Sequence, residues 1–305
     1  MLSLAWPDPS AVLDLRLGAL LTLFGIASYF DWRIREVRDE LWLAGGLLGG
    51  VLLILSSGTT SLPLFGLYVL VVIFTVQHFV PWDARLEKHP QAVVALEGGL
   101  YFVVILAATL AYLYLKPAPP AEFYAVVVAV LLSRVLFETG LLYGGADAKA
   151  MMTAGLLLPL AGAPLLVALP PNLQYPLLQD IPFAFTMLVN GAVVTLAVPI
   201  VILSYNLAHG ERRLPRAFHM YEIPTRELPH RFVWLKDPSP SERSREETTA
   251  EDEELRRKQA HDLLSKGIDR VWVTPQLPFL IALALGALIG VLFGDLLLWF
   301  IASVP

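Results

Sequence analysis

The sequence predicts an all-α polytopic membrane protein that carries a small soluble α+β segment near its end. Hydrophobic residues fill 56% of its 305 positions and charged residues only 16%, whereas soluble domains carry about a quarter charged residues. Apolar runs recur at roughly the 20 residues that a helix needs to cross a bilayer. We therefore expect a transmembrane core over 1–207, a soluble segment over 208–275 and a last transmembrane helix over 276–305.

Eight apolar runs predict about eight transmembrane helices. The second run is short, and the sixth is interrupted by Pro159 and Pro164. Inside the fifth run, Arg134 and Glu138 are four residues apart, so we expect them to form a structural ion pair along one helix face. The eight runs cover residues 13–30, 41–55, 62–80, 98–115, 123–142, 148–169, 183–207 and 277–302.

Basic residues cluster on one side of the predicted helices. The loops after spans one, three, five and seven share that side, whereas the short segments of the opposite side hold only Arg16 and Lys116. Because cytosolic loops carry an excess of Lys and Arg, we expect a multi-pass plasma-membrane protein with both termini outside. The basic residues of the short cytosolic loops are Arg33, Arg35, Arg38, Arg85, Lys88 and Lys149.

The segment 208–275 is predicted to be the soluble part. It balances basic against acidic residues, which argues against a nucleic-acid surface. Its first half is rich in proline, aromatic and β-branched residues and predicts short strands and turns. After a flexible joint, "DPSPSERSREE", a capping box at Thr248 and Glu251 and a stop at Lys266 and Gly267 predict a helix.

Two aspartates stand where apolar runs meet the cytosolic side. Asp31 closes the first run in "SYFDWRIREV", and Asp147 opens the sixth in "LLYGGADAKAMM". Taken singly, Asp147 is explained as the N-cap of a helix and Asp31 as a charge at the membrane boundary. Acidic residues at membrane depth are costly and usually functional. Together on one face, the two predict a pair of carboxyl groups with a joint role.

Paired carboxyl groups predict hydrolytic chemistry. Two close carboxylates cannot both ionise readily, so they share a proton and supply one base and one acid. Such a pair activates a water molecule against a peptide carbonyl without a metal, serine or cysteine. The chain has no cysteine, and its six histidines show no HExxH or other ligand spacing, so we expect neither metal nor cofactor.

The residues around Asp147 are predicted to bind the substrate. Glycines at 144 and 145 let an extended peptide approach the backbone closely. Lys149, one turn into the helix, either biases the pair toward its ionised form or anchors the helix at the lipid headgroups. The predicted site comprises the catalytic Asp31 and Asp147 and the substrate-binding Gly144, Gly145, Ala146 and Lys149.

The strings around both aspartates resemble the intramembrane aspartyl proteases with a Gly-x-Gly-Asp motif, and most closely the archaeal preflagellin and type IV prepilin peptidases. In that family one aspartate ends the first span and the other opens a later span, near the cytosolic face. The resemblance implies that Asp31 and Asp147 remove the short basic leader from preflagellin or prepilin precursors in the bilayer. Glu36, Asp39 and Glu40 are then placed to attract the leader.

The chain departs from the family pattern in three ways. The third motif position is Ala146 where glycine is usual. Four predicted spans separate the aspartates, whereas compact members have two, which implies an inserted helical pair. Bacterial members that methylate the new N-terminus usually carry a cysteine-rich zinc segment. Because this chain has no cysteine, the resemblance implies cleavage without methylation.

Three other interpretations stay open from the sequence. A secondary transporter would use Asp31, Asp147, Arg134 and Glu138 for ion coupling, although transporters place such groups near the midplane and often show internal repeats. A non-enzymatic scaffold of a pilus or flagellum assembly system would use segment 208–275 for docking and tolerate alanine at either aspartate. A presenilin-like protease would keep the chemistry but cut within transmembrane helices.

Overall fold

A computed structural model describes the chain as a helical bundle with a small sheet placed before its last helices. It describes residues 9–58, 61–80, 82, 90–116, 119–142, 144–167, 180–235 and 249–303. The helices are α1 Pro9–Ile34, α2 Asp39–Ser57, α3 Leu62–Val76, α4 Pro90–Tyr114, α5 Ala121–Glu138, α6 Gly145–Leu157, α7 Phe183–Thr195, α8 Ala197–Ala208, α9 Thr249–Ser265, α10 Phe279–Phe293 and α11 Leu296–Ser303.

The described residues include five helical stretches that are long and apolar enough to cross a bilayer. They correspond to the first, second, third, fourth and seventh predicted spans. The chain is therefore a multi-pass membrane protein, but the predicted number of eight spans is not confirmed. The five stretches are Ser10–Ile34, Asp39–Ser57, Leu62–Phe79, Gln91–Tyr114 and Phe183–Ala208.

The fifth and sixth predicted spans differ from this group. Helix α5 forms as expected but carries three charged residues, including Arg134 and Glu138. Helix α6 ends at Leu157, so the prediction of a helix over 148–169 is wrong beyond that residue. Proline has no backbone N–H to continue a helix at Pro159. The following chain is held by other partners, since the N–H of Leu165 donates to the carbonyl of Val291 at 3.0 Å.

The predicted last helix, 276–305, is broken. Helix α10 ends at Gly294, whose φ of +84° lies in a region open mainly to glycine. Asn190 of α7 donates from Nδ2 to the Gly294 carbonyl at 3.0 Å and accepts from the Leu296 N–H at 2.9 Å. Asp295 then begins α11 as a cap for its first N–H groups. Buried polar partners thus stabilise a break that an apolar run alone does not predict.

Helix α6 lies at the centre of the bundle. Apart from Lys149, all of its residues from Asp147 onward are buried. It packs against α2 and α5 at two close approaches. A Cβ at Gly49 of α2 would lie 3.0 Å from the Leu156 side chain, and one at Gly155 would lie 2.8 Å from Ala129 of α5. The second half of α6 therefore packs closely against both neighbouring helices.

The soluble segment forms an antiparallel sheet of three strands before α10, as its α+β prediction indicates. The strands are β1 Tyr221–Pro224, β2 Val233–Trp234 and β3 Arg270–Pro275, in the order β1-β3-β2. Helix α9 packs on this sheet through Ala260 and ends at Gly267, whose N–H donates to the Leu264 carbonyl at 3.0 Å. The predicted joint, with Thr248, and the loop residues Arg85 and Lys88 lie outside the described residues.

Candidate active site

Asp31 lies in the last turn of α1, next to the start of α10. Its side chain is 14% exposed. Its Oδ2 accepts a hydrogen bond from the backbone N–H of Leu280 at 3.2 Å. Because the first N–H groups of a helix have no partner within the helix, this carboxylate also satisfies the N-terminus of α10. Nη1 of Arg35 lies 3.9 Å from Oδ1 of Asp31.

Asp147 is the third residue of α6 and is buried, with 9% of its surface exposed. The residue that precedes the helix in extended conformation is Gly144, so the interpretation of Asp147 as the N-cap itself is wrong. The Asp147 carboxyl turns back and accepts from the backbone N–H of Gly144. Its position at the positive end of the α6 dipole stabilises negative charge there.

The two carboxyl groups lie at the same end of the bundle. Helix α1 packs on α6, and the charge of Asp31 acts on the carboxyl of Asp147. Four described helices, α2 to α5, separate the two residues along the chain. Two acidic side chains far apart in sequence are thus brought within electrostatic range in a largely buried setting. The catalytic role of the pair remains a prediction.

Gly144 leaves room for the carboxyl group of Asp147. A Cβ at position 144 would lie 2.6 Å from Oδ2 of Asp147, closer than non-bonded atoms approach. At Gly145 the nearest atom to such a Cβ is a ring carbon of Phe137 at 3.9 Å, an ordinary contact. Sequence reasoning explained both glycines by substrate approach and missed this difference. Ala146 packs against the apolar core of the bundle.

Lys149 pairs with Asp39, a contact that neither interpretation of Lys149 from the sequence included. Its Nζ lies 2.5 Å from Oδ1 of Asp39, in the first turn of α2. Both side chains are partly buried, so the pair ties the first turn of α6 to α2. The acidic residues that open α2 are visible in the sequence. Asp39 and Lys149 are 110 residues apart, however, so their spacing does not predict the pair.

An acidic cleft opens beside this ion pair. Its volume is about 410 Å³. It lies between the α1–α2 connection and the end of α3, and Asp39 joins it to α6. The residues that line it are Glu36, Val37, Arg38, Asp39, Glu40, Leu43, Phe79 and Val80. The three acidic residues considered for leader binding therefore share one cavity.

Arg134 of α5 forms ion pairs with two acidic residues of the bundle. Arg134 lies 2.8 Å from Glu138, as expected, and 3.5 Å from Glu97 of α4. Among the residues that the structure describes, no group of three or more His, Asp or Glu side chains is placed to hold a metal ion.

The C-terminal part of the chain matches a protease family. Residues 216–296 match the family described as Archaeal Peptidase A24 C-terminus Type II. The resemblance to the preflagellin peptidase family is thereby confirmed. The matched region contains the sheet, α9 and α10, including the Leu280 N–H that binds Asp31. Both aspartates lie outside the matched residues.

A second comparison covers most of the chain. The chain is 25% identical over 274 residues to an uncharacterized protein of Methanocaldococcus jannaschii, over 88% of this chain and 87% of the relative. This likeness extends the comparison to the N-terminal bundle, where the two aspartates lie. Since the relative is itself uncharacterized, it assigns no activity to the bundle.

Proposed function

We propose that this member of the peptidase family is a membrane aspartyl endopeptidase that removes the short basic leader of preflagellins or type IV prepilins at the cytosolic face. The observation that carries the proposal is the placement of Asp31 and Asp147 within electrostatic range of each other in the bundle. One carboxyl is held by the Leu280 N–H and the other is buried. The family match at 216–296 supports proteolysis as the class of reaction.

The proposed reaction needs one proton on the pair. The ionised carboxyl takes a proton from a water molecule, and the water oxygen bonds to the carbon of the scissile peptide. The protonated carboxyl gives its proton to the carbonyl oxygen. When the C–N bond breaks, one carboxyl gives its proton to the leaving amine and the other takes a proton from a hydroxyl of the tetrahedral intermediate. The carbonyl re-forms, and the pair again holds one proton. Because the two carboxyl groups titrate together, the acid and base roles belong to Asp31 and Asp147 jointly.

The acidic cleft supports the choice of a basic leader. Glu36, Asp39 and Glu40 place negative charge beside the first turn of α6, where a Lys- or Arg-rich peptide would be attracted. The substrate helix that follows the leader would then remain in the bilayer beside the bundle. On the cytosolic side, the predicted loops carry Arg33, Arg35 and Lys149, which supports the proposed orientation.

The direct test is leader removal from a tagged preflagellin or prepilin in membranes. We expect Asp31→Asn and Asp147→Asn each to lower the cleavage rate at least about 10²–10⁴-fold, the range of general acid–base catalysis. Asp262→Asn makes the same change at an exposed carboxylate on α9 and should cleave normally. If both active-site variants process the precursor as well as wild type does, the peptidase proposal fails and a transporter or scaffold is favoured.

A further inference from the structure

The backbone of Arg35 is in a conformation that favours glycine. Arg35 is the first residue beyond α1, and its φ is +58°. Helices commonly end on such a left-handed residue, which is usually glycine because a Cβ is disfavoured there. Outside glycine, no other described residue of the chain has a positive φ. The presence of arginine at this position is therefore best explained by its side chain.

That side chain connects α1 to the C-terminal part of the chain. One guanidinium nitrogen lies 3.9 Å from the carboxylate of Asp31, and another donates to the Gln276 carbonyl at 2.5 Å. The guanidinium carbon lies 5.1 Å from the ring centre of Phe232, within cation–π range. The side chain is only 16% exposed, so these contacts are partly shielded from water.

Gln276 and Phe232 are themselves joined at the edge of the sheet. The Gln276 N–H donates to the Phe232 carbonyl at 2.9 Å, which extends the pairing of Val233 with Pro275 by one further bond. Gln276 is also four residues before Leu280, whose N–H binds Asp31. Asp31 is thus held on two sides, by Leu280 directly and by the sheet through Arg35.

We propose that Arg35 is a positioning residue through which the C-terminal sheet, β1 to β3, holds Asp31 in place for hydrolysis. This proposal rests on the proposed function. It assigns a role to the soluble segment: the sheet braces the end of α1 and the first turn of α10 against each other. Arg35 itself touches neither the scissile peptide nor the water, and it acts through Asp31.

The replacement Arg35→Gly distinguishes a role of the Arg35 side chain from a role of its backbone conformation. Glycine suits the φ of +58°, so a role limited to ending α1 predicts an unchanged enzyme. Positioning predicts that kcat for leader removal falls about 10²-fold, as expected for a reacting group displaced by about 1 Å. The KM for the precursor should stay within about twofold, because the substrate-facing surface is retained. Arg33→Met removes an exposed basic residue two positions earlier and should leave both constants unchanged.

Phe232→Leu tests the same connection from the sheet. It removes the ring beneath the guanidinium and should lower kcat about tenfold, in keeping with the loss of a shielded cation–π contact. Phe232 also contacts Arg256, whose guanidinium carbon lies 5.9 Å from the ring centre. If the effect of Phe232→Leu on cleavage passes through Arg35, the double variant Arg35→Gly/Phe232→Leu should be no slower than Arg35→Gly alone. If kcat of the double variant falls by the product of the two single losses, the two residues contribute independently, which would contradict the proposed connection.

A distance measurement reports on the brace without activity. The chain has no cysteine, so spin labels can be attached at Arg33→Cys and Arg226→Cys, both exposed. We expect a narrow distance distribution that broadens with Arg35→Gly. An unchanged distribution, or a wild-type kcat in Arg35→Gly, overturns the positioning role. If wild type cleaves and Asp31→Asn does not, that result leaves the proposed function standing. A wild-type chain that cleaves no precursor overturns both.

Discussion

Gly144 lies against the carboxyl group of Asp147, three residues later in the chain. A side chain at this position would meet Oδ2 of Asp147 at 2.6 Å. The atom it meets is the end of a short side chain and no backbone moves, so Gly144→Ala should displace the carboxyl and leave the fold intact. We expect leader removal to fall about 10–10²-fold from a displacement of this size, measured as kcat/KM in detergent, with the melting temperature nearly unchanged.

The neighbouring glycine supplies the matched control. A Cβ at Gly145 meets only the Phe137 ring at 3.9 Å, so Gly145→Ala should keep most of the activity. Equal losses in the two variants would show that both glycines serve the approach of the substrate. Such a result would contradict a role of Gly144 in making room for Asp147.

At the scale of elements, the contact between α7 and α10 positions the backbone that binds Asp31. A Cβ at Gly286 of α10 would collide with the backbone of Met187 and Gly191 of α7, and one at Gly191 would lie 3.0 Å from the Ala282 carbonyl. Neither neighbour is a side chain that can rotate away. The two helices therefore approach closely because glycine faces glycine, as is common in membrane bundles.

Gly286→Ala is expected to force these helices apart. Overpacking of this kind costs roughly 1–3 kcal/mol, so the melting temperature in detergent should fall. Cleavage should fall as well, because the Leu280 N–H at the start of α10 moves away from Asp31. Gly25→Ala is the control: its Cβ would meet nothing within 4 Å, and alanine in a helix is favoured over glycine by roughly 0.5–1 kcal/mol. Equal melting temperatures for the two variants would argue against the close α7–α10 contact.

At the scale of the whole molecule, charge and apolar surface are separated. The bundle presents apolar side chains outward, and the acidic cleft lies at the end that holds the two aspartates. In that cleft Asp39 pairs with Lys149 and Glu40 with Arg38. Glu36, the third acidic residue of the lining, takes part in neither of these two pairs. It is therefore the best single position at which to test attraction of the leader.

Glu36→Gln should weaken binding of a basic leader without affecting the chemical step. We expect the KM for the precursor to rise about two- to fivefold, as for a surface ion pair worth up to about 1 kcal/mol, with kcat unchanged. The difference from wild type should shrink at high salt, because salt screens exposed charges. Glu253→Gln on α9 is the control, since it removes an exposed carboxylate away from the cleft. A KM insensitive to Glu36 and to salt would exclude the cleft as the leader site.

Much of the local structure could be predicted because it depends on neighbouring residues. The apolar runs around α1 to α4 and Phe183–Ala208 are confirmed as candidate membrane helices. The helix stop at Gly267 and the Arg134–Glu138 pair follow equally from short spacings. The positions of the two aspartates at helix ends were visible in the same way.

The tertiary structure decided what depends on contacts between distant residues. Asp31 meets the Leu280 N–H across 249 residues, and Lys149 meets Asp39 across 110. The path of the chain after α6 and the break at Gly294 depend on partners in other helices. By itself, the sequence determined a polytopic helical protein with two boundary aspartates, because hydropathy and charge act along the chain. Only packing decided that the two carboxyl groups lie within electrostatic range and that Arg35 joins one of them to the sheet, because both require helices remote in sequence to lie side by side.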